Sequence, residues 1–255
     1  MLTRRALLAA GAGLLAACGT RSDARRSGGA AGDAGVLTAR PGAPPSAPGA
    51  PAGPGTRPLG LEPVRDALLH VPETLVPGRA APLVLSLHGA GGEAEGGLAL
   101  LRPLAEEHAL VVVAPASRGS TWDAVAGDYG VDVELVDRAL TAAFAAVAVD
   151  PRRVAVAGFS DGASYALGLG LANGALFGDV LAFSPGFVPP GAPRSGRPRV
   201  FVSHGTADDV LPIERTSRRI VPALRGDGYD VTYREFAGPH TVPPGIAREA
   251  VGRLV

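Results

Sequence analysis

Three residues stand in the order and setting in which side chains perform nucleophilic catalysis: Ser160, an aspartate at 208 or 209, and His240. A serine hydroxyl is a poor nucleophile near neutral pH. It becomes reactive when a histidine removes its proton and a carboxylate orients that histidine. Ser160 lies in Gly158-Phe159-Ser160-Asp161-Gly162, after the apolar run 153–157 and before a stretch patterned as a helix. This strand, turn and helix setting is what a nucleophile elbow requires. Its glycines relieve the contacts of a sharp turn that lifts the hydroxyl above a sheet, and its partners follow in the order Ser, Asp, His.

The downstream chain supplies both partners. A strand ending at Ser203 runs into His204-Gly205-Thr206-Ala207-Asp208-Asp209-Val210, which puts a carboxylate, Asp208 or Asp209, just past a strand end. The run 230–236 is followed by Ala237-Gly238-Pro239-His240-Thr241-Val242-Pro243, a loop presenting one histidine. In this arrangement His240 takes the Ser160 proton and returns it to the leaving group. Stabilising an oxyanion needs amide donors, usually one after the nucleophile and one from the loop after an early strand. Leu87-His88-Gly89-Ala90-Gly91-Gly92 is such a loop, so the expected donors are the amides of Asp161 and of Ala90, with Gly91 as the alternative to Ala90. His88 and His204 are expected to support these loops by hydrogen bonding. His70 and His108 belong to no constellation.

The elements that must hold these residues follow from hydrophobic patterning. Runs at 82–88, 110–114, 153–157, 180–183 and 200–203 are apolar almost throughout, as strands of a parallel sheet buried on both faces are. Helices are expected at 94–108, 130–148, 161–173 and 213–227, and after Pro244. The second carries Val133, Val136, Leu140, Phe144 and Val147 at spacings of three and four. Alternating strands and helices build an α/β sandwich with right-handed crossovers, whose ligands bind at the carboxyl ends of the strands. Trp122 and Phe187 follow strand ends, and with Gly91 they are expected to line the substrate pocket.

Composition removes other classes of function. Lys plus Arg and Asp plus Glu number 24 each, so no net field is available to hold a nucleic acid. Cys18 is the single cysteine, which excludes an internal disulfide framework, a thiolate metal cluster and a cysteine nucleophile in the globular part. No histidines or carboxylates stand at metal-ligand spacing, and there is no dinucleotide or Walker loop. No metal or cofactor is therefore expected.

The chain of 255 residues suits one core with an appendage. Residues 1–18 read as an export signal: Arg4 and Arg5 precede the uncharged stretch 6–17, too short to span a bilayer. Leu15-Ala16-Ala17-Cys18 resembles a bacterial lipoprotein signal, whose cysteine is lipidated, and Thr3-Arg4-Arg5 resembles a twin-arginine signal. A plain secretory signal is the alternative. Residues 19–58, dense in glycine, proline and alanine, read as a disordered tether outside the fold. The catalytic domain then occupies 59–255, exported and anchored through Cys18 at a periplasmic or cell-surface membrane, or secreted.

Taken together, the motifs resemble a known group, the predicted esterases of the phospholipase/carboxylesterase type, close to polyhydroxyalkanoate-depolymerase-like esterases. The resemblance runs from about 82 to 250. It rests on the motifs around His88, Ser160, Asp208 and His240, on Gly119-Ser120-Thr121-Trp122-Asp123, and on Ala182-Phe183-Ser184-Pro185-Gly186-Phe187. It implies an α/β-hydrolase fold, hydrolysis of carboxylic esters, and a triad of Ser160, Asp208 and His240, with Asp208 chosen over Asp209. Only one helix, one strand and one loop separate Ser160 from Asp208, so no lid domain is expected, and an open site favours small or soluble esters. Acyl transfer from the same acyl-enzyme, and a catalytically inactive tethered binding lipoprotein, are the competing readings.

Overall fold

The computed structural model describes residues 34–42, 52–76 and 78–254. The export signal at 1–18 with Cys18, and the tether at 19–33 and 43–51, lie outside the described residues. In chain order the elements are β1 (Gly55–Pro58), β2 (Ala67–Val71), β3 (Ala81–Leu87), α1 (Ala94–His108), β4 (Val111–Pro115), α2 (Asp123–Ala126), α3 (Val131–Ala146), β5 (Val149–Phe159), α4 (Asp161–Ala172), β6 (Asp179–Phe183), β7 (Arg199–Gly205), α5 (Ser217–Gly226), β8 (Val231–Phe236) and α6 (Pro244–Val251).

The strands form one sheet in the order β1-β2-β4-β3-β5-β6-β7-β8. Pairing is antiparallel from β1 through β2 to β4 and parallel from β4 to β8. The central strands are apolar on both faces because each face has a helical layer. Leu83, Leu85 and Val113 point to one side, into a core shared with α3, α4 and α5. Val84, Val112 and Ala114 point to the other, against Leu98, Leu101 and Leu104 of α1 and Ala247, Ala250 and Val251 of α6. The period of two along each strand thus feeds two cores. Every residue of α4 from Gly162 to Ala172 is buried, which explains its lack of a polar stripe.

The expected strands and helices fall where the patterning put them, with two differences. The helix expected at 213–227 is split into a 3-10 turn at Ile213–Arg215 and α5. The break sits at Thr216, whose hydroxyl donates to the Pro212 carbonyl at 3.0 Å and so competes with helical bonding. No helix or strand occupies 184–198, between β6 and β7.

The second difference corrects the tether. Residues 34–42 and 55–58 are part of the fold. Leu37 is 1% exposed and joins the core beneath α3 and α4. Its amide donates to Asn173 Oδ1 at 2.8 Å, and Asn173 Nδ2 donates to the Gly35 carbonyl at 2.8 Å. The amides of Thr38 and Ala39 donate to Asp137 Oδ1 at 2.7 and 2.8 Å. Residues 55–58 form β1, the edge strand against β2. Average composition concealed this, because one leucine and a row of backbone groups are enough to dock a segment when matching acceptors already stand on the helices.

Leu37→Ala is expected to lower the unfolding free energy by about 2–3 kcal/mol, the lower part of the range for core leucines, since a terminal segment can relax around the gap. Val36→Ala, at a half-exposed neighbour, should change it by less than about 0.5 kcal/mol. Denaturant unfolding of the two variants measures this, and equal stability would mean that the segment does not dock.

Candidate active site

The turn between β5 and α4 is tight enough to dictate its residues. Ser160 has φ 58° and ψ −121°, a left-handed conformation that is unusual for a residue with a side chain. Its amide donates to the Phe183 carbonyl on β6 at 2.9 Å, which helps to hold the strained position. A Cβ on Gly158 would stand 2.1 Å from the Gly162 carbonyl oxygen, and one on Gly162 would stand 2.3 Å from that of Leu87. Both positions therefore need glycine, so that the elbow can close and α4 can pass over the end of β3. Ser160 is left nearly buried, at 8% exposure.

Three strand ends then converge on it. His240, after β8, places Nε2 2.9 Å from Ser160 Oγ, and its Nδ1 lies 2.6 Å from Asp208 Oδ2, after β7. Because the carboxylate accepts from Nδ1–H, the neutral ring keeps its Nε2 lone pair for the serine hydroxyl. The Phe159 ring packs 4.6 Å from the imidazole, centroid to centroid, on one side. Asp208 is buried whereas Asp209 is exposed, which distinguishes the two candidate acids by geometry.

Asp208 is saturated with donors. Its Oδ1 accepts the amides of Val210 at 3.1 Å and Leu211 at 2.8 Å. Oδ2 lies 3.1 Å from His204 Nε2 in addition to His240. Burial alone would raise the pKa of this carboxyl, but the Leu211 amide and the two imidazoles outweigh it and hold the group below its ordinary value. His204 itself is fully buried, with Nε2 2.8 Å from the Leu211 carbonyl and Nδ1 2.7 Å from Ser217 Oγ.

The loop after β3 is built from the other side. His88 Nδ1 donates to the Gly89 carbonyl at 2.7 Å, while its Nε2 accepts the Ser117 amide at 3.0 Å. The Gly91 amide donates to the Ser120 carbonyl at 2.6 Å, so it is engaged within the protein, and this removes Gly91 as the alternative amide donor. Ala90 is exposed, and Asp161 opens α4, where an amide has no intrahelical acceptor. The Asp161 carboxylate accepts the Thr121 hydroxyl at 2.6 Å, joining the 119–123 loop to the elbow.

Trp122 is not where the sequence placed it. It is fully buried and cannot line a pocket. Its indole Nε1 donates to the His88 carbonyl at 2.9 Å, and its ring lies between His88 at 4.7 Å and Tyr165 at 5.0 Å. A buried indole N–H needs an acceptor, and the loop under which it packs provides one. Phe187 is 40% exposed in the loop after β6. Its neighbour Gly186 donates an amide to Ser164 Oγ at 2.9 Å, and Ser164 Oγ in turn lies 3.3 Å from the Ser160 carbonyl.

Sequence reasoning met Thr121, Asp123 and Tyr165 only as motif residues and gave no role to them or to Asp132. The Tyr165 hydroxyl donates to Asp123 Oδ1 at 2.9 Å, Asp123 Oδ2 accepts the Asp132 amide at 2.9 Å, and Asp132 Oδ2 accepts the Asp123 amide at 2.7 Å. The only signal was the polar cluster around Trp122, whose partners are distant in the chain. Among the described residues no group of three or more His, Cys, Asp or Glu side chains could hold a metal ion.

No family model and no curated protein matches the chain. Solved structures do. An esterase, PE8, is 23% identical over 80% of this chain and 98% of its own, with a TM-score of 0.56. A phospholipase/carboxylesterase from Dyadobacter fermentans is 22% identical over 74% of this chain and 95% of its own, with a TM-score of 0.55. Thermogutta terrifontis esterase 2, phosphorylated by paraoxon, is 19% identical over 79% and 91%, with a TM-score of 0.58. The chain has the α/β-hydrolase fold, as the sheet order and these likenesses agree.

Burial pushes His88 and His204 below the ordinary histidine value of 6.5. In the window beneath 6.5 the unfolded chain binds protons that the folded chain refuses, so acid favours unfolding there and stability recovers as the pH rises. The melting temperature is expected to fall as the pH drops from 7 to 5, with a shallower slope in His88→Gln. Thermal melts across that range check the sign, and a flat wild-type profile would contradict it.

Proposed function

We propose that this protein is a serine carboxylesterase that cleaves small or soluble esters through an acyl-Ser160 intermediate. The observation that carries this reading is the continuous chain from Ser160 Oγ to His240 Nε2 at 2.9 Å and from His240 Nδ1 to Asp208 Oδ2 at 2.6 Å. As Oγ attacks the ester carbonyl, its proton passes to His240, and the buried Asp208 charge stabilises the imidazolium. The tetrahedral oxyanion sits against the amides of Asp161 and Ala90, with the amino end of α4 adding its positive pole. Collapse of the intermediate sends the His240 proton to the departing alcohol. Water, activated by the same imidazole, then attacks the acyl carbonyl and restores Ser160.

Supporting this reading, the solved relatives described above carry esterase names, and one is phosphorylated by paraoxon. The substrate class follows from access. The 184–198 stretch adds no helical cover, and on this reading Phe187 and Val210, exposed at 40% and 62% in the loops after β6 and β7, supply an apolar rim. Such a rim suits the acyl or alcohol part of a small ester better than a long chain that must be enclosed. The lipoprotein-like signal further suggests that Cys18 carries a lipid anchor and that the catalytic domain works tethered to a membrane after export.

A fluorophosphonate probe should label Ser160 in the folded, signal-free protein, read out as the modified peptide. His240→Ala is expected to lower kcat by about 10⁴–10⁶, and Asp208→Asn by about 10⁴, as losses of triad members do. Asp209→Asn should leave turnover unchanged. Absence of the adduct on Ser160 in folded protein would refute the mechanism.

Across p-nitrophenyl esters of increasing acyl length, kcat/KM is expected to be highest for the short members. A preference for long chains would contradict the open-site argument.

A further inference from the structure

We infer that His204 is a positioning residue for the triad: it fixes the Asp208 carboxylate in the one rotation that serves His240. The inference rests on the esterase reading and deepens it at one atom. Oδ2 of Asp208 is shared by two imidazoles, His240 Nδ1 at 2.6 Å and His204 Nε2 at 3.1 Å. His240 donates its hydrogen bond to this oxygen, and the His204 ring stands against it as the second polar neighbour. Both the Asp208 and the His204 side chains are completely shielded, so no water replaces a lost donor.

His204 is itself fixed at both ends. Its Nε2 lies 2.8 Å from the Leu211 carbonyl, which can only accept, so this nitrogen carries the proton, and it stands 3.1 Å from Asp208 Oδ2. Nδ1 is then the acceptor for the Ser217 hydroxyl at 2.7 Å, at the start of α5. One N–H thus holds the carbonyl of Leu211, the residue whose amide binds Oδ1, while its positive end stands beside Oδ2. Turning the carboxylate about its Cβ–Cγ bond would break the contacts on both oxygens together. Burial also favours the neutral form of His204, which leaves the full Asp208 charge to face the His240 imidazolium.

His204 lies behind the acid and is not placed to touch substrate. Its loss is therefore expected in the transition state, where the imidazolium forms, and not in ground-state binding. In His204→Leu, kcat for p-nitrophenyl acetate should fall about 10- to 100-fold, the scale of one hydrogen bond to a charged group, with KM changed by less than about twofold. The rate of fluorophosphonate labelling should fall in parallel. His204→Gln, which restores an N–H donor for the Leu211 carbonyl and a polar group beside Oδ2, should recover most of kcat. If His204→Leu fails to fold, Ser217→Ala serves instead: it frees the Nδ1 end of the ring, and kcat should fall at constant KM.

Circular dichroism and a cooperative melt establish that each variant is folded. A folded His204→Leu or Ser217→Ala with wild-type kcat would overturn the role, and so would a His204→Gln as slow as His204→Leu or a change confined to KM. Ser160→Ala separates the two claims. If it abolishes turnover while the His204 variants match wild type, only the positioning role fails. If Ser160→Ala keeps full turnover, the esterase reading itself fails.

Discussion

The arrangement depends on keeping a negative charge on Asp208 inside the protein. A buried carboxylate is costly unless donors replace the water it has lost, and here two backbone amides and the His240 imidazole do so, with the polar ring of His204 against the same oxygen. Each donor comes from a segment that must itself be held. The amides need the turn from Asp208 to Leu211, His204 needs the end of β7 and the Ser217 hydroxyl on α5, and His240 needs the loop after β8. Satisfying one charge therefore fixes the relative placement of three elements, and the imidazole of His240 becomes aimed at Ser160 as part of the same network.

The opposite wall is organised by sterics and by a stack of rings. Gly158 and Gly162 are small because backbone carbonyls occupy the space where side chains would go. Beneath the Gly89–Gly92 turn, the rings of His88, Trp122 and Tyr165 pack in succession, and Tyr165 is secured by Asp123. Trp122 holds the His88 carbonyl, the Ser120 carbonyl holds the Gly91 amide, and Thr121 holds Asp161. One short loop, 119–123, thus braces both the turn after β3 and the start of α4. Rigidity of this kind matters wherever amides must already point at a charge before it develops.

The docking of residues 34–42 changes where the fold starts. The segment is secured on α3 and α4 through Leu37, Asn173 and Asp137, so the fold begins well before the first strand that hydrophobic patterning revealed.

Much of the molecule was legible in the sequence, and for identifiable reasons. Strands buried on both faces leave uninterrupted apolar runs, amphipathic helices leave their spacing, and a nucleophile elbow leaves two glycines, so β3 to β8, α1, α3, α4 and the order Ser160, Asp208, His240 could be read directly. Local chemistry cannot report long-range contacts. Whether Trp122 faces a pocket or a core, whether Leu37 belongs to a tether or to the fold, and which of two adjacent aspartates meets the histidine depend on partners 32 to 136 residues away. The chain thus determined which residues stand as candidates for the chemistry and in what order, while the tertiary structure decided their burial and their hydrogen-bond partners, because both are properties of the space around a side chain and not of its neighbours in sequence.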